Sequence, residues 1–150
     1  MKKLNVLFVG LGSIGQRHLR NLKRIFKKKI IIYAYRIKKN TPLLNDNNIA
    51  IKGNVEKKFK IKKIKKFNNI NFDIIFITNP SSLHIKTILN LKTIKNCYIF
   101  IEKPIDVSLK NYNKFQKFIN KKKLKIFVGC NLRFNNAYNK LKKLIKSKKL

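Results

Sequence analysis

Gly10, Gly12 and Gly15 stand within six residues of a chain that holds only five glycines in 150 residues. Their spacing is G-x-G-x-x-G, directly after the apolar run "NVLFV" at 5–9 and at the start of a helical pattern. In that setting the first glycine permits a tight turn, the second lets a diphosphate approach bare backbone, and the third lets helix and strand pack closely. The free N–H groups of Ser13, Ile14 and Gly15, aided by the helix dipole, would hold the anion. A strand-to-helix turn without a ligand can use the same glycines, so the spacing gains meaning only from the strand before it and the helix after it. Arg36 stands 21 residues beyond Gly15, at the end of a second apolar run. A site for NAD usually has an acid there, on the ribose hydroxyls; a guanidinium suits a 2′-phosphate and favours NADP over NAD. The alternative for Arg36 is an ordinary solvated base.

Charge narrows the reading less than its size suggests. The formal net charge is +33, and Lys, Ile and Asn make up about half of the chain. These three residues share A- and T-rich codons, so a drifted, AT-rich genome explains the lysines more simply than a selected basic surface does. A lysine is then nearly uninformative, while the five acids, five arginines and five glycines persist against the drift. The lysines are spread along the chain, with no basic stripe interleaved with aromatics, which argues against a charge-driven nucleic-acid binder. Cys97 and Cys130 follow no metal-ligand spacing and read as reduced, small hydrophobes. The opening "MKKLNVLFVGLG" imitates a signal peptide, but polar "QRHLRN" follows and no Ala-x-Ala cleavage site is present. No apolar stretch approaches the roughly 18 residues of a membrane span. The expected location is the cytoplasm.

The elements that must position these residues follow from apolar periodicity. Runs of β-branched and aromatic residues recur at 5–9, 30–35, 74–78, 98–101 and 125–128. Such continuous runs suit strands buried on both faces, as in a parallel sheet covered by helices. Between them lie helical stripes: Ile14, His18, Leu22 and Ile25, with Leu19 and Phe26 beside them; a looser one from Ile85 to Leu91; Leu109, Tyr112, Phe115 and Ile119; and finally Tyr138, Leu141, Leu144 and Ile145. Residues 55–67 read as a helix with a strand alternative, 49–51 as a short edge strand, and 38–48 as one surface loop. Strand alternating with helix predicts an α/β fold with a doubly wound parallel sheet.

Four stretches, "GLGSIGQRHLRNL" at 10–22, "TNPSSLH" at 78–84, "EKP" at 102–104 and "GCNLRF" at 129–134, resemble the N-terminal domain of the Gfo/Idh/MocA oxidoreductases. The resemblance implies a Rossmann-type domain over residues 1–128, with 129–150 as the end of the last strand and a helix leading toward a second domain. It implies a sugar or cyclitol oxidoreductase that works with NAD or NADP. It also implies that Asn79, Pro80 and His84 line the nicotinamide side, and that Lys103 points its ammonium at the reacting oxygen of the substrate. Glu102 would anchor its turn or contact the cofactor ribose, Pro104 would fix the backbone, and Asn131 or Arg133 would approach the nicotinamide from the sixth strand. On physical grounds Ser81 or Ser82 is the expected helix N-cap, and a partly buried helix residue bonded to backbone is the alternative for His84.

Family members continue into a second α/β domain that covers the site and usually supplies a catalytic His, which neither His18 nor His84 matches. The resemblance therefore points to a truncated or split form that keeps nucleotide binding, with a separate chain as one source of the second domain. The alternative is a non-catalytic nucleotide-binding or interaction module.

Overall fold

The computed structural model describes residues 2–35, 41–67 and 70–147. Six strands form one parallel sheet in the order β5-β2-β1-β6-β7-β8. They are β1 (Leu4–Val9), β2 (Ile30–Tyr35), β5 (Lys62–Lys63), β6 (Ile74–Ile77), β7 (Tyr98–Glu102) and β8 (Lys125–Gly129). A separate antiparallel pair, β3 (Leu43–Leu44) with β4 (Ala50–Ile51), lies in the segment expected to be loop and edge strand. The central position of β1 follows from its composition: Val6, Leu7, Phe8 and Val9 are all buried, so both faces need cover.

Helix α1 (Ser13–Phe26) covers one face, and α3 (His84–Asn90) and α4 (Tyr112–Lys121) belong to the other. On the α1 side Leu19 and Leu22 pack with Val6, Phe8, Ile32 and Phe76. On the opposite side Ile85, Ile88 and Phe115 pack with Leu7, Ile75, Ile77, Ile99 and Ile101. Each fully buried side chain of this size contributes about 1.5–3 kcal/mol relative to exposure. Asp73 pins the start of the sheet: its Oδ2 accepts from Asn5 N at 2.7 Å, while its own N–H donates to Asn5 O at 2.9 Å.

Three expectations change. The helix expected over 55–67 is only α2 (Val55–Phe59), which the Asn54 side chain caps by accepting from Glu56 N and Lys57 N. The chain then leaves through Lys60 at φ 52° and pairs Lys62 and Lys63 with Tyr33 and Ala34 of β2, the strand alternative. The buried stripe of α1 is also rotated, to Gly15, Gln16, Leu19 and Leu22, leaving Ile25 72% exposed. Gly15 is the reason, because its bare Cα lies flat against the turn and sets the angle of the helix. Finally, cover on the α1 side thins out toward β8, and on β7 it reaches Phe100 and Glu102 but not Tyr98. Tyr98 and Phe127 are largely exposed on the α1 side, and the final helix α5 (Asn136–Lys146) is exposed along nearly all its length.

Gln16 carries a burden that composition does not reveal. Fully buried, its Nε2 donates to Leu11 O at 3.0 Å and Pro42 O at 2.8 Å, and its Oε1 accepts from Leu44 N at 2.9 Å. Gln16→Leu leaves these backbone groups without their partner, at about 1–3 kcal/mol for each that stays buried. Denaturant unfolding should show a loss on the order of 3 kcal/mol; a change under about 0.5 kcal/mol would mean the Pro42–Leu44 segment is held by other bonds.

The two thiols differ. Cys97 is buried, and burial first, with Asp73 adding to it against a backbone hydrogen bond, pushes its thiol up to about 11. Cys130 is free and exposed. At about pH 8 a disulfide reagent should therefore react with one thiol per folded chain, and with a second only after denaturation. Among the described residues no helix is long and apolar enough to cross a membrane.

Candidate functional site

The site begins where β1 ends. Gly10 takes φ +93°, a left-handed conformation that side chains resist, and its N–H donates to Tyr35 O at 3.3 Å. Gly12 stands at the N-cap of α1 without a side-chain cap, and the first helical bond runs from Gln16 N to Gly12 O at 2.9 Å. The amides of Ser13, Ile14 and Gly15 precede that bond and have no partner inside the helix.

The three glycines meet different neighbours. A Cβ on Gly10 would lie 2.8 Å from Asn79 N, and one on Gly15 would lie 2.6 Å from Gly10 O and 2.8 Å from Thr78 Oγ1. A Cβ on Gly12 would meet nothing within 4 Å. Two glycines thus let backbone touch backbone, while the middle one borders open space beside amides that have no bonded partner among the described residues. That cradle is what a diphosphate requires.

The turn after β6 closes over this one. Thr78 Oγ1 donates to Gly10 O at 2.7 Å, and Thr78 N donates to Val9 O at 3.0 Å. Asn79 Nδ2 donates to Thr87 Oγ1 at 2.9 Å, and its Oδ1 is buried without a partner among the described residues. Such an orphaned acceptor beside the glycine turn fits a ligand that brings a donor. Pro80 is exposed. Neither Ser81 nor Ser82 caps α3 by its side chain; both lie in a 3₁₀ turn, Ser81–Leu83, in which Leu83 N donates to Pro80 O at 2.9 Å. His84 follows, buried beneath the turn.

At the end of β7, Glu102 Oε1 lies 2.6 Å from His18 Nε2, and the His18 ring packs edge-on to Phe100 at 4.8 Å between centroids. Glu102 therefore joins the end of β7 to α1. Lys103 and Pro104 are exposed, and the peptide between them is cis. Lys103 and Arg133 share a cleft of about 560 Å³ with Ile14, His18, Glu102 and Phe127. Asn131 also lines it.

The structure thus gathers Gly10, Gly12, Ser13, Ile14, Gly15, Asn79 and Pro80 around one turn, and Glu102, Lys103 and Arg133 around a cleft reaching Ile14. Arg36 lies outside the described residues. Sequence reasoning missed His18, read there as part of an apolar stripe, and Thr78 as the bond that locks the two turns. The signal for His18 was its rarity, since the chain has only two histidines.

A parallel doubly wound sheet with a glycine turn at its switch point, where β1 borders both β2 and β6, defines a Rossmann-type α/β domain. The chain belongs to the GFO/IDH/MocA family, whose model, described as an oxidoreductase family with an NAD-binding Rossmann fold, matches residues 4–130. It is 27% identical over 139 residues to a myo-inositol 2-dehydrogenase of Thermotoga maritima, covering 93% of this chain and 40% of that protein. It is also 27% identical over 150 residues to an uncharacterized oxidoreductase of Bacillus subtilis, covering 97% of this chain and 41% of the relative. Among solved structures, scyllo-inositol dehydrogenase of Lactobacillus casei with bound NAD(H) and scyllo-inositol superposes with a TM-score of 0.70 at 22% identity, covering 99% of this chain and 42% of that one. The chain therefore spans about two fifths of the length of these relatives.

The glycines can be told apart by substitution. Gly15→Ala drives a methyl into the Gly10 carbonyl and should cost about 1–3 kcal/mol or more in unfolding free energy. Gly12→Ala should leave thermal stability nearly unchanged and weaken dinucleotide binding by about tenfold or more, read by calorimetric titration. Equal loss of stability in both variants would remove the distinction.

Proposed function

We propose that the chain is the nucleotide-binding part of an NAD(P)-dependent dehydrogenase acting on a sugar or cyclitol, working in the cytoplasm. The observation that carries this reading is the open space over Gly12 beside the amides of Ser13, Ile14 and Gly15, which have no bonded partner among the described residues. Those amides would hold the diphosphate, with Gly10 and Gly15 keeping the turn tight against β6. Asn79 and Pro80 would border the nicotinamide end, where the orphaned Asn79 Oδ1 offers an acceptor. A nicotinamide ring, when bound, supplies or takes up the hydride.

Lys103 is the residue of this chain closest to the chemistry in this reading. Its ammonium, exposed at the end of β7, would stabilise negative charge developing on the substrate's carbinol oxygen, an electrostatic contribution that grows as water is excluded. Arg133 would border the nicotinamide region from the far wall of the same cleft. Arg36 makes NADP the preferred cofactor over NAD. Because the chain spans about two fifths of its relatives' length, the remaining substrate contacts would come from further sequence or from a separate chain. The second reading, a nucleotide-binding module without chemistry, shares the glycine turn and differs at Lys103, whose replacement by Ala would then leave the role intact.

Isothermal titration of the folded chain with NADH and NADPH tests the proposal. Heat of binding is expected with both, and with NADPH the tighter. No heat with either ligand from a sample with a cooperative thermal transition would defeat it, and tighter NADH would remove the preference for NADP.

A further inference from the structure

His84 opens α3 and is 1% exposed. Its Nδ1 lies 2.9 Å from the Pro104 carbonyl oxygen and its Nε2 lies 2.8 Å from the Asn79 carbonyl oxygen. A carbonyl oxygen only accepts, so each contact is a hydrogen bond only where the ring nitrogen carries a proton. A ring with one proton would set a bare lone pair against an oxygen lone pair at one of these distances. A ring with two protons donates at both ends, and such charge-assisted bonds are the stronger kind. Among the described residues no carboxylate pairs with His84, and Asp106, beyond Pro104, accepts from Val107 N. Lys103 and Lys86, its neighbours on the β7 turn and on α3, are exposed. The two carbonyls are thus the groups that the ring nitrogens meet.

Those carbonyls belong to different turns. Asn79 lies against Gly10 after β6, and Pro104 follows Lys103 after β7. We infer that His84 is a positioning residue, a two-proton clasp that sets the Lys103–Pro104 turn against Asn79 and, through Asn79, against the glycine turn. With both nitrogens engaged and the ring buried, it acts on a ligand only through these turns. Its consequence for binding rests on the function proposed above: the clasp governs the nicotinamide end of the dinucleotide, while the diphosphate is held by α1 independently of it.

The protonation is read without any ligand. Long-range ¹H–¹⁵N spectra of the full chain with ¹⁵N-labelled histidine, near neutral pH, should show two rings. The ring that disappears in His84→Asn should have both nitrogens protonated; a bare nitrogen on it overturns the clasp. The positioning role is read by titrating the wild-type chain and His84→Asn with NADH and with ADP-ribose, which lacks the nicotinamide. NADH affinity should fall about tenfold while ADP-ribose affinity stays within about twofold. Equal loss for both ligands, or no loss for either, overturns the positioning role. If His84→Asn does not fold, His18→Asn assigns the spectrum by elimination and the wild-type ring still decides. If the wild-type chain binds neither ligand, the functional proposal fails while the spectrum still tests the clasp.

Discussion

Three stretches of backbone meet at one point, and the rest of the architecture is arranged around their contact. The turn at Gly10, the first turn of α1 at Gly15 and the end of β6 at Thr78 and Asn79 approach so closely that a methyl on either glycine would collide with main chain. Thr78 locks the contact with its hydroxyl on Gly10 O. This crossing fixes the angle of α1, sets β1 beside β6 at the point where strand order reverses, and presents Asn79 at the carboxyl edge of the sheet. From Asn79 the connection passes through His84 to Pro104 and the second turn. Packing of this density is felt at the level of a single methyl group, so its geometry passes to both turns with little slack.

The few acids of the chain are placed where elements meet. Asp73 fixes the start of β6 against β1, Asp46 receives both Arg20 and Arg24 from α1, and Glu56 lies 3.2 Å from Lys63 across the α2–β5 turn. Glu102 joins β7 to α1 through His18. In a chain with a formal net charge of +33, four of the five carboxylates join separate elements. Exposed pairs of this kind contribute little individually, about 0–1 kcal/mol. The more buried bond between Asp73 and a backbone amide, and the short His18–Glu102 contact against aromatic rings, carry more of the local order.

How much of this could be read from the sequence depended on which physical signal was present. The strand runs, the β1–turn–α1 unit and the parallel order were legible, because continuous apolar runs alternating with helical stripes leave few arrangements. Residues 55–67 were not, since lysines between Phe59, Ile61 and Ile64 fit either period, and the outcome rested on Asn54 capping a short helix and β2 offering an edge. The stripe of α1 was misread because hydrophobic periodicity gives no weight to a glycine whose bareness decides which face turns inward. Ser81 and Ser82 look like caps by type, yet Pro80 starts a 3₁₀ turn that satisfies the amides by backbone. At the site, the glycines and Lys103 were visible as motifs. The bonds of His18, Gln16 and His84 join residues up to 84 positions apart, and no local pattern encodes them.

The two rims of the sheet give the lysines a role that composition alone hides. β5, at one rim, consists of Lys62 and Lys63, and β8, at the other, begins with exposed Lys125. An unpaired strand exposes a row of amide and carbonyl groups on which another molecule's strand can extend the ladder. The ammonium groups of β5 and at the start of β8 make that stacking electrostatically unfavourable between like copies. The lysines at these borders thus guard a parallel sheet against fibrous self-association, and do so least in concentrated salt, where the repulsion is screened.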